Sequence, residues 1–245
     1  MINEWYKDWF SSELYLSVYS HRNDEEAEQL CRLILSSTQI KNGTKILDAA
    51  CGAGRHSNYF SSLGFDVVGF DLSKTLLNVA VNSAKEKTLP ANFFCSDIRN
   101  VPIRTKFELI VNLFTSFGYF ETDEENFSFV KQAYSLLDNG GFYILDYLNE
   151  KTLRENLVPQ SEKSINGGKI IERREIAGNR VVKEINVFAG DEEIKFHESV
   201  RLYSKDDILK EAESLGFKPV KLFGDYTGCL FDENVSNRLI VVSQK

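Results

Sequence analysis

The chain has 245 residues, 42% hydrophobic and 27% charged, the composition of a soluble globular protein with a sizeable core. Its 29 basic and 36 acidic residues give a net charge of −7 without any basic run, which argues against nucleic acid or an anionic membrane surface as partner, because both select clustered Lys and Arg. Cys31, Cys51, Cys95 and Cys229 lie far apart with no Cys-x-x-Cys pair, so a zinc site or disulfide framework is not expected, and a reducing cytoplasm is the expected setting.

The first twenty residues are rich in aromatics. Trp5 and Trp9 are four apart, as are Tyr15 and Tyr19, so an amphipathic helix would carry each pair on one face. Glu4, Lys7 and Asp8 among them do not suit a signal peptide, and no later apolar run approaches membrane-spanning length. Asn23-x-x-Glu26 has the form of a capping box and opens a helix with Ala27, Leu30, Cys31 and Ile34 at core spacing. Asn42-Gly43 then turns the chain into a first strand.

From there strands near 44–49, 66–71, 91–96, 107–113 and 141–148 alternate with helical stretches near 54–63, 73–87 and 123–138, the last ended by Asp138-Asn139-Gly140-Gly141. Such alternation predicts a doubly wound, mostly parallel α/β sheet with helices on both faces, whose ligands sit at the C-terminal strand ends. Lys45 to Phe60, KILDAACGAGRHSNYF, is the centre of the pattern: a short apolar strand ending in Asp48, then Gly52 and Gly54, then a helix N-terminus. Glycine has no Cβ, so a ligand can approach the backbone there, and the free N–H groups at a helix start favour polar or anionic groups. A dinucleotide fingerprint needs a third small residue, Gly or Ala, three positions past the second glycine. That position is Ser57, with Arg55 and His56 intervening, so a pyrophosphate site is disfavoured. The second strand ends in Asp71, where a carboxylate can accept both ribose hydroxyls of a nucleoside. The third ends at Asp97, able to accept from an adenine amino group.

These motifs resemble the class I S-adenosylmethionine-dependent methyltransferases. Asp48-x-x-Cys51-Gly52-x-Gly54 is similar to that superfamily's glycine motif, Asp71 (followed by Leu72) to its ribose-binding acid, Asp97-Ile98 to its adenine-binding pair, and Asn112-Leu113-Phe114 to the segment that faces the methyl donor. The resemblance covers Gly43 to Leu148 well and the remainder loosely. It implies a seven-stranded sheet with one antiparallel strand in a C-terminal hairpin, S-adenosylmethionine as cofactor, and contacts from Ala50, Gly52, Gly54, Asp71, Leu72, Asp97, Ile98, Asn112 and Leu113. It also implies that Asp48 helps to hold the methionine amino group, the alternative being a carboxylate that caps loop amides. Arg55 is expected to pair either with a cofactor carboxylate or with a neighbouring helix.

After Leu148 the periodicity changes. Gly167-Gly168, Gly178-Asn179 and Gly190-Asp191 punctuate runs at 169–176, 181–188 and 194–203, which read as a three-stranded antiparallel meander. This insertion is expected to be a substrate lid or a dimerisation sheet. A helix from Lys205 to Leu215 and two final strands near 218–226 and 237–243 complete the fold. The chain thus divides into an N-terminal helical lid (1–40), a cofactor-binding core (41–148 and 204–245) and an antiparallel β insertion (149–203).

Methyl transfer from a sulfonium is an in-line displacement in which the protein chiefly aligns the reactants. A base matters only when the nucleophile still carries a proton; His56, His197, Glu198 and Tyr119 are the candidates. His56, in the helix's first turn, is expected to face solvent or to cap unless it acts catalytically, and His197 is either an exposed strand position or a substrate contact. The run Asn112 to Phe120 lines an acceptor pocket or is a buried strand leading into an apolar loop; its aromatic faces suit a sugar ring or a cationic sulfonium. Tyr15, Tyr19 and Arg22 stand at i, i+4 and i+7, one face of a continuous helix. Glycine N-methyltransferase has a similar Tyr…Arg segment whose arginine binds the cofactor carboxylate, which implies that role for Arg22, with the tyrosines closing the acceptor side; pairing of Arg22 with Asp24 or Glu25 is the alternative.

The function expected is methyl transfer to an oxygen or nitrogen of a small-molecule acceptor by a monomer or homodimer, without metal, nucleic acid or membrane. An Asn-Pro-Pro-Tyr-type sequence, found in enzymes acting on amide or exocyclic base nitrogens, is missing. The rivals are a nicotinamide-dependent oxidoreductase, against which the absent third glycine and Asp97 argue, and a non-catalytic S-adenosylmethionine-binding scaffold.

Overall fold

The computed structural model describes residues 4–19, 24–165, 168–190 and 192–245. Two short helices, α1 (Trp5–Ser11) and α2 (Leu14–Val18), precede a long one, α3 (Asp24–Thr38). The core then runs β1 (Lys45–Ala49), α4 (Arg55–Ser62), β2 (Asp66–Asp71), α5 (Lys74–Glu86), β3 (Asn92–Cys95), β4 (Phe107–Asn112), α6 (Asp123–Leu136) and β5 (Leu137–Leu148). After α7 (Glu150–Glu155) come β6 (Gln160–Ile165), β7 (Gly168–Ala177), β8 (Arg180–Ala189) and β9 (Glu192–Arg201), then α8 (Lys205–Ser214), β10 (Lys218–Phe223) and β11 (Arg238–Gln244).

The main sheet has the order β10-β11-β5-β4-β1-β2-β3, with β11 antiparallel to both its neighbours and β1 to β5 mutually parallel. Because side chains alternate across a strand, neighbouring residues feed different cores. Leu47 and Ile110 pack under α6 and α8 with Phe129, Ala133 and Ile208, whereas Ile46 and Leu109 pack on the other face with Leu30 and Ile34 of α3 and Phe60 of α4. Both faces are covered, as an all-parallel sheet centre requires.

The aromatic N-terminus is two helices rather than one. Ser12 is extended, and its hydroxyl accepts from the Leu14 N–H at 3.2 Å, the local competition by which serine interrupts a helix. The proposed Asn23 cap and the continuation of the Tyr15/Tyr19 face to Arg22 lie outside the described residues. The insertion is a four-stranded antiparallel sheet in the order β6-β7-β8-β9, one strand more than the meander expected. The extra strand, Gln-Ser-Glu-Lys-Ser-Ile, has no fully buried position, so its sequence carries too little apolar signal to announce it. Strand β5 also starts earlier than expected: Leu137 pairs with Phe107 and Phe142 with Leu109, so Asp138-Asn139-Gly140-Gly141 is an irregularity within one strand, exposed at 138–140 and buried at Gly141. The small sheet and the N-terminal helices share a third core of Trp5, Trp9, Val18, Ile170, Ile185 and Val187.

Candidate active site

The glycine turn after β1 is built from two glycines with different tasks. Gly52 (φ +54) has open space: an added Cβ would meet nothing nearer than Leu76 Cδ1 at 3.9 Å. Gly54 (φ +75) is the N-cap of α4, and a Cβ there would come within 2.6 Å of Ala80 Cβ on α5. Only Gly52 lines the cavity; Gly54 lets two helices approach rather than a ligand. Asp48, almost fully buried, accepts a hydrogen bond from the Ser57 hydroxyl at 2.5 Å. Burial pushes its carboxyl up to about 7, with the Ser57 bond opposing and the nearby Asp71 charge adding. Ser57, the residue that disfavours a dinucleotide, is therefore the partner of the glycine-motif acid.

Asp71 ends β2 with one oxygen accepting from Gly52 N–H and the other from Ser73 N–H, both at 2.8 Å. Burial raises its pKa despite those bonds. Asp97 is held differently. Burial alone would raise it, but Arg99 outweighs that: its Nε and Nη2 donate to the carboxylate at 3.1 and 2.7 Å, and Asp97 titrates below the ordinary carboxylate value. Arg99 also donates to Glu125 at 2.9 Å, and its guanidinium stacks over Phe120, 4.6 Å from the ring centre. Any amino group meeting Asp97 thus meets a carboxylate already engaged by a guanidinium.

A cavity of about 230 Å³ follows the C-terminal rim from β3 to β4. It brings together Asp48, Ala50, Gly52, Arg55, His56, Asp71, Leu72, Asp97, Ile98, Asn112, Leu113 and Tyr119 with Tyr15 and Tyr19 of the N-terminal segment. Asn112 is buried and donates through its side-chain amide to the Ala49 carbonyl at 3.1 Å, tying β4 to the glycine turn. The Arg55 guanidinium lies over the Phe114 ring at 4.9 Å. His56 does not face solvent: it is 5% exposed, and burial, then the Arg55 charge, push its imidazole down to about 3. Its Nε2 is closed to solvent without a hydrogen-bond partner, and the lowered pKa leaves the ring neutral near pH 7. His197, unlike His56, does not line the cavity; it is half-buried on β9 with its ring 6.3 Å from that of Trp5. Tyr119 remains at the cavity wall, 5.1 Å from the Trp5 ring.

The N-terminal helices roof this space with Tyr6, Phe10, Tyr15, Leu16 and Tyr19. Their fastening is polar. Ser73, the N-cap of α5, donates to the Phe10 carbonyl at 2.6 Å, and Thr75 to that of Ser11 at 3.1 Å. From the other side, Glu198 of β9 accepts from Trp9 Nε1 at 2.7 Å and from the Tyr19 hydroxyl, and pairs with Lys183 at 2.6 Å. Burial would raise Glu198; the Lys183 charge and these hydrogen bonds prevail and keep it below the usual carboxylate range. None of the described residues of β6 to β9 lines the cavity. The small sheet acts through what it holds: Arg180 of β8 donates to the carbonyls of Gly118, Tyr119 and Phe120 at 3.0–3.2 Å.

Sequence reasoning missed Arg180, whose target loop lies 60 residues away, and missed Tyr6 and Phe10 as wall residues. It also passed over Asp146, although Ile-Leu-Asp at the end of a buried strand repeats the signal read at Asp48 and Asp71.

A parallel sheet of this order with one antiparallel strand, and a strand–glycine–helix turn at its centre, define the class I S-adenosylmethionine-dependent methyltransferase fold. Residues 46–141 match the family described as "Methyltransferase domain". The chain is 32% identical over 122 residues to the dTDP-3-amino-3,4,6-trideoxy-alpha-D-glucopyranose N,N-dimethyltransferase of Streptomyces venezuelae, covering 49% of this chain and 48% of that protein. It is 27% identical over 193 residues to the glycine/sarcosine N-methyltransferase of Aphanothece halophytica, covering 77% and 72%. A solved S-adenosylmethionine-dependent methyltransferase from Clostridium acetobutylicum shares the fold with a TM-score of 0.80 at 18% identity, over 94% of this chain and 95% of that one. The match spans about half the length of the first of these relatives. Among the described residues no helix is long and apolar enough to cross a membrane.

Proposed function

We propose that the chain transfers a methyl group from S-adenosylmethionine to an oxygen or nitrogen of a small-molecule acceptor. The observation that carries this reading is the rim cavity, which joins an open glycine cradle at Gly52 to the Asp71 carboxylate and ends under an aromatic roof. The residues fit the cofactor: Gly52 has room where a ligand backbone contact is needed, and Asp71 is a buried carboxylate with lone pairs remaining beyond its two N–H partners. Asp71 would hold the ribose hydroxyls, with Leu72 and Ile98 against the base and Asp97 at its amino edge. Asp48, Ala50, Gly52, Arg55, Asn112 and Leu113 would hold the other end, and the cofactor would supply a methyl group activated by its sulfonium.

The chain's own residues then have three tasks: to bind, to orient the acceptor under Tyr15, Tyr19 and Tyr119, and to exclude water with the N-terminal helices. Excluding water strengthens every polar contact inside. Of the four base candidates only His56 and Tyr119 line the cavity, and with the His56 imidazole pushed down to about 3 by burial, Tyr119 is the one left to act there. The relatives named for amine acceptors support a nitrogen nucleophile. An amine that arrives neutral attacks through its own lone pair and needs only orientation. Calorimetry with S-adenosylmethionine, S-adenosylhomocysteine and NAD tests the cofactor, and a labelled-methyl screen over amines and hydroxyl compounds tests the acceptor. Binding of NAD in preference to S-adenosylhomocysteine would overturn the reading.

A further inference from the structure

Phe114 and Thr115, directly after β4, both have left-handed backbones (φ +58 and +63) although neither is glycine. A conformation that L side chains avoid persists only where surrounding groups impose it, and here one residue does so. Asp146, fully buried near the end of β5, accepts from the Phe114 N–H at 2.9 Å through one carboxylate oxygen, while its backbone carbonyl accepts from the Thr115 N–H at 3.0 Å. The same carboxylate oxygen accepts from the Tyr226 hydroxyl at 2.9 Å, and the other takes two bonds from Arg238, at 2.8 and 2.7 Å. Arg238 opens β11, and Tyr226 lies on the segment joining β10 to β11, its ring 5.9 Å from that of Phe114. On its other side Phe114 meets Arg55 and His56. The strand order places this turn at the β1–β4 end of the cavity, away from Asp71 and Asp97 at the β2–β3 end.

We propose that Asp146, fixed by Arg238 and Tyr226, is a positioning residue that holds the Phe114–Thr115 turn in the shape that receives the reactive, amino-acid end of the methyl donor. The proposal rests on the cofactor reading above and goes beyond it, because none of the three side chains touches the cavity. It divides the site: the acids on β2 and β3 serve the nucleoside, and the clamp on β5 and β11 serves the end where the methyl is transferred.

Two variants test it. Tyr226→Phe removes one bond from the clamp and keeps the ring; Asp146→Asn removes the charge and the acceptor facing two donors. Hydrogen exchange reads the clamp without any ligand: the Phe114 and Thr115 amides are expected to exchange at least fivefold faster in both variants, while β4 itself is unchanged. Calorimetry reads its purpose. S-adenosylhomocysteine is expected to bind about fivefold more weakly to Tyr226→Phe, as for one lost hydrogen bond, and more weakly still to Asp146→Asn, with adenosine unchanged within twofold. Unaltered exchange at 114–115 in folded Tyr226→Phe overturns the clamp, and equal losses for S-adenosylhomocysteine and adenosine overturn the positioning role. Wild-type protein that binds neither ligand overturns the cofactor reading and with it the clamp's purpose, while the exchange result still decides whether the clamp exists.

Discussion

Replacing Asp71 by alanine removes an acceptor that serves the fold and, on our reading, the ligand. In the free protein, the Gly52 and Ser73 N–H groups each lose a 2.8 Å bond to a carboxylate oxygen. An unsatisfied buried donor costs about 1–3 kcal/mol, but water can reach this rim and the penalty for burying a charge disappears with the side chain. The net loss should be about 2 kcal/mol, which lowers the melting temperature of a domain this size by roughly 4–8 °C. Two ribose hydroxyls that lose a charged acceptor weaken binding by about 1.5–3 kcal/mol, or roughly tenfold to 150-fold. Calorimetry on the folded variant measures this with S-adenosylhomocysteine, adenosine and 2′,3′-dideoxyadenosine. The first two should lose affinity together, and the dideoxy compound, which has no hydroxyls to offer, should bind wild type and variant alike. If folded Asp71→Ala bound S-adenosylhomocysteine as tightly as wild type, or lost the dideoxy compound equally, the ribose assignment would be refuted.

Asp48 gives a pH test. Its folded value of about 7 lies above the ordinary 3.8 because of burial, so the stability it contributes is full below about pH 4 and is lost as pH rises through about 7. Asp48→Asn, neutral throughout and still able to accept from Ser57, should gain stability relative to wild type across that window in thermal melts, whereas parallel pH curves would contradict the buried carboxyl. Arg180→Met removes the guanidinium from three carbonyls of the loop carrying Tyr119; S-adenosylhomocysteine affinity should stay within about twofold while acceptor KM rises about tenfold or more, charged hydrogen bonds being among the stronger ones. A change in cofactor affinity alone would place the effect at the wrong end of the cavity. Glu198→Ala removes the acceptor shared by Trp9 and Tyr19 and the nearer carboxylate of Lys183, which keeps Glu172 at 3.9 Å, a loss of about 3 kcal/mol for breaking a buried pair, so tryptic cleavage at Lys7 should accelerate about tenfold or more. Unchanged cleavage would show that the roof does not depend on this latch.

The sequence by itself determined the elements whose signal is local. Alternating apolar strands and spaced helices specified the doubly wound sheet, and the rim residues Asp48, Asp71, Asp97 and Asn112 sit at or just past the C-terminal end of their own strands, so their places could be read from spacing. Beta strand β6 escaped notice because its polar residues are paired across a neighbour rather than buried. The glycine motif was legible as a turn but not as a division of labour: that Gly52 faces the cavity and Gly54 faces Ala80 is decided by α5 packing on α4. The tertiary structure alone decided the fate of His56, which spacing leaves facing solvent or capping and packing buries beside Phe114. It alone decided Arg180, Glu198 and Asp146 as well, since each acts on a segment between 32 and 189 residues away. A side chain's local sequence fixes which strand or helix carries it; what it meets across the fold is set by sheet order and by the packing of the insertion on the N-terminal helices, and no window of neighbouring residues contains that information.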